Sequence, residues 1–405
     1  MNNTVIDSAK NQEGMQHDSL DESGRCNSPK HIIDCVNRGD IANTLSGLTA
    51  LIASTSAQRS LPVPFLQATA SALEARDWSF FPDAFSRMEF LGPTGDFLIV
   101  APYSANRAGT RTTRLSAIYG TTLPGITRVS PDKARVHIKK IFDHDPPELS
   151  EVIPVHVHAS AGMLAGDAGE AFIVPDGWDG VTTGPALNNM SEQHKRFISS
   201  GIKCITKCWE PRSASLLLRG FREKRHAFQV RSNEYQLHDF GHATGLGLAY
   251  KVANNLLRSP MDHGTEEFRA DGVGPFELGS RLLTEHRAAE VVASNLCTRF
   301  GLDAHRKGGN LDGDAYASEL TFYHLIESGA ITRSNGKMKF NNPSPYGLLR
   351  AVEVLRAVAV KLTREEMADP SSMWRLYRID IPRGHSLMFH EYIVEPCRGL
   401  YNDLQ

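Results

Sequence analysis

The stretch Glu234-Tyr-Gln-Leu-His238-Asp239-Phe-Gly-His242 constrains this chain more than any other. On a helix, Glu234, His238 and His242 recur every four residues and project from one face. Imidazole and carboxylate are natural ligands of zinc, iron and manganese, so this face is suited to one divalent cation. Asp239 sits about 100° round the helix, where it would serve a second metal or orient a ligand. One face cannot complete a metal shell. The chain therefore needs a helical domain that brings a second set of ligands to the first.

The next helical stretch offers such a set in Glu285-His286-Arg-Ala-Ala-Glu290, where His286 and Glu290 share a face. Between the two lies Asp262-His263-Gly-Thr-Glu266-Glu267-Phe-Arg269-Ala-Asp271. It reads as a polar loop whose charged groups would touch the metal or hold the residues that do. Gly241, Gly245 and Gly247 read as lying inside the motif helix, each costing about 1 kcal/mol against alanine. A helix accepts that cost where another helix, a substrate or a metal-bound water must approach its backbone. His156 and His158 alternate on an expected strand and form a weaker candidate pair. Lys133, Arg135, His137, Lys139 and Lys140 read as a solvated strand face. The chain has no Walker loop, no G-x-G-x-x-G, no G-x-S-x-G and no H-E-x-x-H.

Composition narrows the class. A length of 405 residues allows two or three domains, and an apolar fraction of 41% with 22% charged residues is ordinary for a globular protein. A net charge of -2 gives no reason to expect nucleic-acid or membrane-surface binding. No apolar run reaches the roughly 18 residues that span a bilayer, and no signal peptide is evident. The expected partner is a small-molecule substrate. Cys26, Cys35, Cys204, Cys208, Cys297 and Cys397 are scattered, and Cys204 and Cys208 lack the two-residue gap of zinc knuckles. They read as reduced thiols, which implies a cytoplasmic site of action.

The pattern along the chain predicts an α+β protein. Residues 1–40 read as a disordered polar tail, 41–186 as an α/β portion, 187–367 as a helical metal-binding domain and 368–405 as a C-terminal extension. Short helices are expected at 41–52 and 64–75, and strands at 97–100, 152–157 and 171–174. Ser232 or Asn233 would cap the motif helix, and Ser259-Pro260 would end it. Further helices are expected at 282–300, before Gly301, at 314–327 and at 345–361.

His238-Asp239-Phe240-Gly241-His242 resembles the His-Asp signature of the HD-domain superfamily. It is similar to the His-Asp-x-Gly-His form of deoxynucleotide triphosphohydrolases and, more loosely, to that of cyclic-nucleotide phosphodiesterases. The resemblance implies a helical domain binding one or two divalent metals through a His, the His-Asp pair and a later Asp. His238 and Asp239 match the central pair, His194 stands for the upstream His, and Asp312 or Asp314 for the later Asp. His242 or His263 would be an extra ligand or the acid that protonates the leaving oxygen. The implied reaction is hydrolysis of a phosphate ester or nucleotide by metal-activated water. A second reading is a non-haem iron oxygenase built on His238, His242 and a carboxylate from Glu234, Glu285 or Glu290. A third is an interaction protein with a structural metal clip.

Overall fold

The computed structural model describes residues 28–54, 59–107, 110–146, 149, 151–162, 185–306 and 312–400. The fold is α+β, as expected: a small sheet in the middle of the chain precedes a mainly helical C-terminal part. The sheet runs β1 (Asp96–Arg107), β2 (Thr110–Thr122), β3 (Val152–Ala161) and β4 (Ala186–Asn189), in that order. The first three strands are antiparallel, with a register shift at Tyr119/Gly120, and β4 pairs parallel with β3. Phe97, Ile99, Ile118 and Ile153 are buried in one cluster with Leu48, Phe65 and Phe85 from the preceding helices.

Two expectations for this region fail. Residues 29–37 are not a tail but a helix, Pro29–Asn37, whose Ile32, Ile33 and Val36 are buried. Ser28 caps it by accepting from the His31 backbone N at 3.2 Å. The alternating basic run lies on a helix, Pro131–Phe142, not a strand. Ser130 at the N-cap and Pro131 in the first turn set that helix, and Ala134, Ile138 and Phe142 form its buried stripe. The strand expected at 171–174 lies outside the described residues.

The C-terminal part packs around a second apolar cluster that includes Trp209, Phe268, Val292, Leu296, Phe300, Leu320 and Leu355. The hairpin β5 (Ile331–Ser334) and β6 (Lys337–Phe340) closes over it, with Trp209 stacked on Phe340 at 4.9 Å. The motif helix is longer upstream and shorter downstream than expected, Lys224–Ala243. Glu223 caps it by accepting from Arg225 N and His226 N, so Ser232 and Asn233 are buried mid-helix residues. It ends at Ala243 because Gly245 and Gly247 adopt φ of +72° and +73°, a left-handed conformation that costs glycine little. Ser259 starts a new helix, Pro260–Asp271, accepting from Asp262 N at 3.2 Å. The polar stretch read as a loop is this facing helix.

Gly241 sets how closely the two helices approach. A Cβ there would lie 2.2 Å from the Ala270 carbonyl oxygen, so no larger residue fits at this crossing. The facing helix continues into a π-helical turn, Gly272–Leu278, where a Cβ on Gly274 would lie 1.9 Å from Leu237 O. These two contacts, about one turn apart, seat the C-terminal end of the facing helix against the motif helix, with Glu266, Glu267 and Asp271 beside His238 and His242.

Candidate metal centre

His238, His242 and Glu267 converge. The two Nε2 atoms are 3.0 Å apart, and Glu267 brings Oε2 to 3.3 Å from His238 Nε2 and Oε1 to 3.4 Å from His242 Nε2. Tetrahedral ligation with arms of 2.0–2.1 Å requires donor separations of about 3.3 Å. The triangle therefore has the size of a first coordination shell.

Each imidazole is held from behind. His238 Nδ1–H donates to Asp271 Oδ1 at 2.8 Å, and His242 Nδ1–H donates to Glu266 Oε1 at 3.0 Å. A carboxylate on Nδ1 fixes the tautomer that leaves Nε2 free to ligate. Asp271 and Glu266 are buried, whereas Glu267 keeps 27% of its side-chain surface exposed. The donor triangle is thus rigid behind and accessible in front.

The supporting carboxylates are themselves satisfied. Asp271 accepts from Arg299 Nε at 2.6 Å and Asn295 Nδ2 at 2.8 Å. Arg299 also reaches Glu267 at 3.3 Å, Asp303 at 3.1 Å and Asp314 at 2.9 Å. Glu266 accepts from Arg269, Lys251 Nζ and Tyr377 Oη at 2.6–2.9 Å. Glu366 stands 2.9 Å from Lys251, and Arg269 donates to Gly241 O at 3.1 Å. Lys251, Arg269, Glu266 and Glu366 form a charge-balanced cluster with almost no solvent contact.

The electrostatics follow from that packing. Burial disfavours the charged form of His238, but Asp271 and Glu267 outweigh it and hold its pKa well above the ordinary 6.5. His242 moves the same way, burial again opposing and Glu267 prevailing. Burial would raise Glu267, yet the two imidazoles hold its carboxyl well below the usual range. Without a metal the site stores protons on its imidazoles, which a cation would displace.

The other expected ligands sit elsewhere. Glu234, one turn before His238, is held by Arg231 at 2.6 Å and Ser294 at 3.0 Å, and burial raises its pKa. Asp239 is half-buried and stands outside the three-donor group. His286 and Glu290 do meet, at 3.2 Å, but with His226 at 3.0 Å and the Arg219 guanidinium 3.9 Å from Glu290. A cation there would face a competing positive charge. Glu285 opens that helix. His194 is buried with its ring edge-on to Phe228 at 5.5 Å. Asp312 caps the helix Gly313–Glu327 through Asp314 N and Ala315 N, and Asp314 pairs with Arg299 and Arg306. His263 is exposed one turn before Glu267 and is not in the donor group. His156 bonds Ser191 and His158 bonds Thr121, each at 2.8 Å, with no third donor grouped beside them among the described residues.

Glu267 lies in the polar stretch whose composition reads as a loop. A sharper signal was available: Ser259 and Pro260 mark a helix start, and Glu267 and Asp271 then share a face four residues apart.

The fold resembles that of two solved structures. The structure of dipeptidyl-peptidase III from Caldithrix abyssi matches with a TM-score of 0.63 at 14% identity, covering 90% of this chain and 69% of that one. The dipeptidyl-peptidase III from Corallococcus sp. strain EGB matches with a TM-score of 0.54 at 13% identity, covering 91% and 70%. The chain belongs to the family described as "Family of unknown function (DUF6014)", which matches residues 25–298. No curated protein matches it in sequence. These likenesses overturn the HD-domain resemblance. Its five matching residues shared a His-Asp dipeptide with that superfamily, but here the Asp is not grouped with the donors and the third donor is Glu267.

Proposed function

We propose that this protein is a metal-dependent hydrolase of short peptides, with the metal on His238, His242 and Glu267. The observation that carries the reading is the donor triangle with a buried carboxylate behind each imidazole. Two imidazoles and one Glu are the donor set of catalytic zinc sites, which keep a position open for water or substrate. A metal so held would polarise a carbonyl and lower the pKa of a bound water.

His238-Asp239-Phe240-Gly241-His242 has the spacing of H-E-x-x-H, with Asp in place of Glu. In that motif the acidic residue after the first His is the general base. Asp239 is given this role: its carboxylate takes a proton from the attacking water and passes it to the departing amine. Asp is one methylene shorter than Glu, so its reach is about 1.5 Å less. Glu267 and Arg299 keep the donor face oriented, and Asp271 and Glu266 hold the imidazoles in the ligating tautomer. The fold likeness to dipeptidyl-peptidases supports a peptide substrate over a phosphate ester.

The same two-His, one-carboxylate set also suits non-haem iron. Metal analysis paired with an oxygen electrode separates the two. Zinc, with cleavage of chromogenic di- and tripeptide derivatives abolished by a chelator and restored by zinc, supports the peptidase. Iron with substrate-dependent oxygen uptake sinks it.

A further inference from the structure

A second group of soft donors lies away from the imidazole site. Cys204 and Cys208 stand four residues apart on the helix Ile202–Cys208, so their thiols share a face. His305 ends the short turn Asp303–His305, and Cys397 ends the turn Glu395–Cys397 near the described C-terminus. Cys204, His305 and Cys397 offer donor atoms all within 4.8 Å of one another. Cys208 Sγ is 3.5 Å from Cys397 Sγ and donates to Ile393 O at 3.4 Å; it stands outside the 4.8 Å group and completes a four-ligand shell only by turning away from that carbonyl. The three cysteines are 0%, 2% and 1% exposed in chain order.

We infer that Cys204, Cys208, Cys397 and His305 form a structural zinc site that fastens the C-terminal segment to the helical domain. Four such ligands close the coordination shell, which distinguishes structural zinc from catalytic zinc. Zn–S arms of 2.3 Å place tetrahedrally arranged sulfurs about 3.8 Å apart, close to the distance between Cys208 and Cys397. His305 Nε2–H donates to Phe300 O at 3.1 Å, which leaves Nδ1 as the ligating nitrogen. Three thiolates on one divalent ion leave a net negative charge. Lys207 is placed to offset it, its Nζ donating to Pro396 O at 3.1 Å, next to Cys397. Thiolate donors select zinc over the oxygen-seeking divalent ions. Spacing alone hides this site, because its ligands come from three separate parts of the sequence.

The test is cobalt spectroscopy on the full chain, purified reduced and loaded with cobalt in place of zinc. An intense near-ultraviolet thiolate-to-cobalt band is expected. It should survive in the His238→Ala/His242→Ala double variant and vanish in Cys397→Ser. If Cys397→Ser fails to fold, the unaltered zinc protein decides: blocking thiols with a mercurial should release zinc that a chelator alone releases slowly. Absence of a thiolate band in the unaltered protein overturns the site. So does intact-mass detection of a Cys208–Cys397 disulfide in place of sulfur-bound metal.

Discussion

At the residue scale, the proposed function divides the imidazole site into residues that would hold the metal, residues that support them and one that would transfer a proton. Asp239→Asn should keep the metal while lowering kcat by about 10²–10⁴-fold, the usual worth of a general base. Unchanged kcat would remove Asp239 from that role. Asp271→Ala leaves every donor in place but frees His238, so metal affinity should fall about 10–100-fold, measured by competition with a chromogenic chelator. The raised pKa values of His238 and His242 set the sign of the pH dependence. Both imidazoles hold protons above the ordinary 6.5 in the metal-free protein, so metal must expel them on binding. Affinity should therefore climb as pH rises through neutrality and weaken as it falls. Calorimetry in buffers of different ionisation enthalpy should read net proton release.

At the element scale, the site exists because two helices approach at a glycine. Gly241→Ala puts a methyl group against the Ala270 carbonyl and should cost about 1–3 kcal/mol by overpacking. It should also weaken metal binding, since separating the helices pulls Glu267 from the imidazoles. A variant with a lowered melting temperature and undiminished affinity would contradict the coupling. Glu366→Ala leaves Lys251 and Arg269 buried beside one fewer carboxylate. Breaking such a pair costs about 3–5 kcal/mol, readable as a shift of the urea midpoint. The sequence revealed much at this scale where periodicity is strong. Leu348, Leu349, Val352, Leu355, Ala359 and Leu362 have the spacing of a core-facing stripe, and all but the half-buried Leu349 are buried, although Val352 divides the run between two helices. It revealed less where polar residues are buried. The facing helix carries Asp262, Glu266, Arg269 and Asp271 inside the protein, a pattern that looks solvated until their partners are known.

For the whole molecule, the α+β class and the His238/His242 face are legible in the sequence, whereas Glu267's place beside them and the fold relatives are not. His238 and His242 are legible because one helix sets their spacing. Glu267 is not, because only the crossing of two helices places it opposite them. The cysteine group depends on still longer contacts, joining residues 204, 305 and 397. Arg299 links the two regions: it reaches Glu267 and Asp271 on one side and Asp303, two residues before His305, on the other. The central claim is that His238, His242 and Glu267 hold a metal that serves peptide hydrolysis. The most direct test measures metal content and cleavage of short peptide substrates together, in the unaltered protein and in Glu267→Gln. Zinc-dependent cleavage is expected, falling with metal occupancy in the variant. Metal retained in full by Glu267→Gln, or a zinc-loaded protein that cleaves no peptide bond, would contradict it.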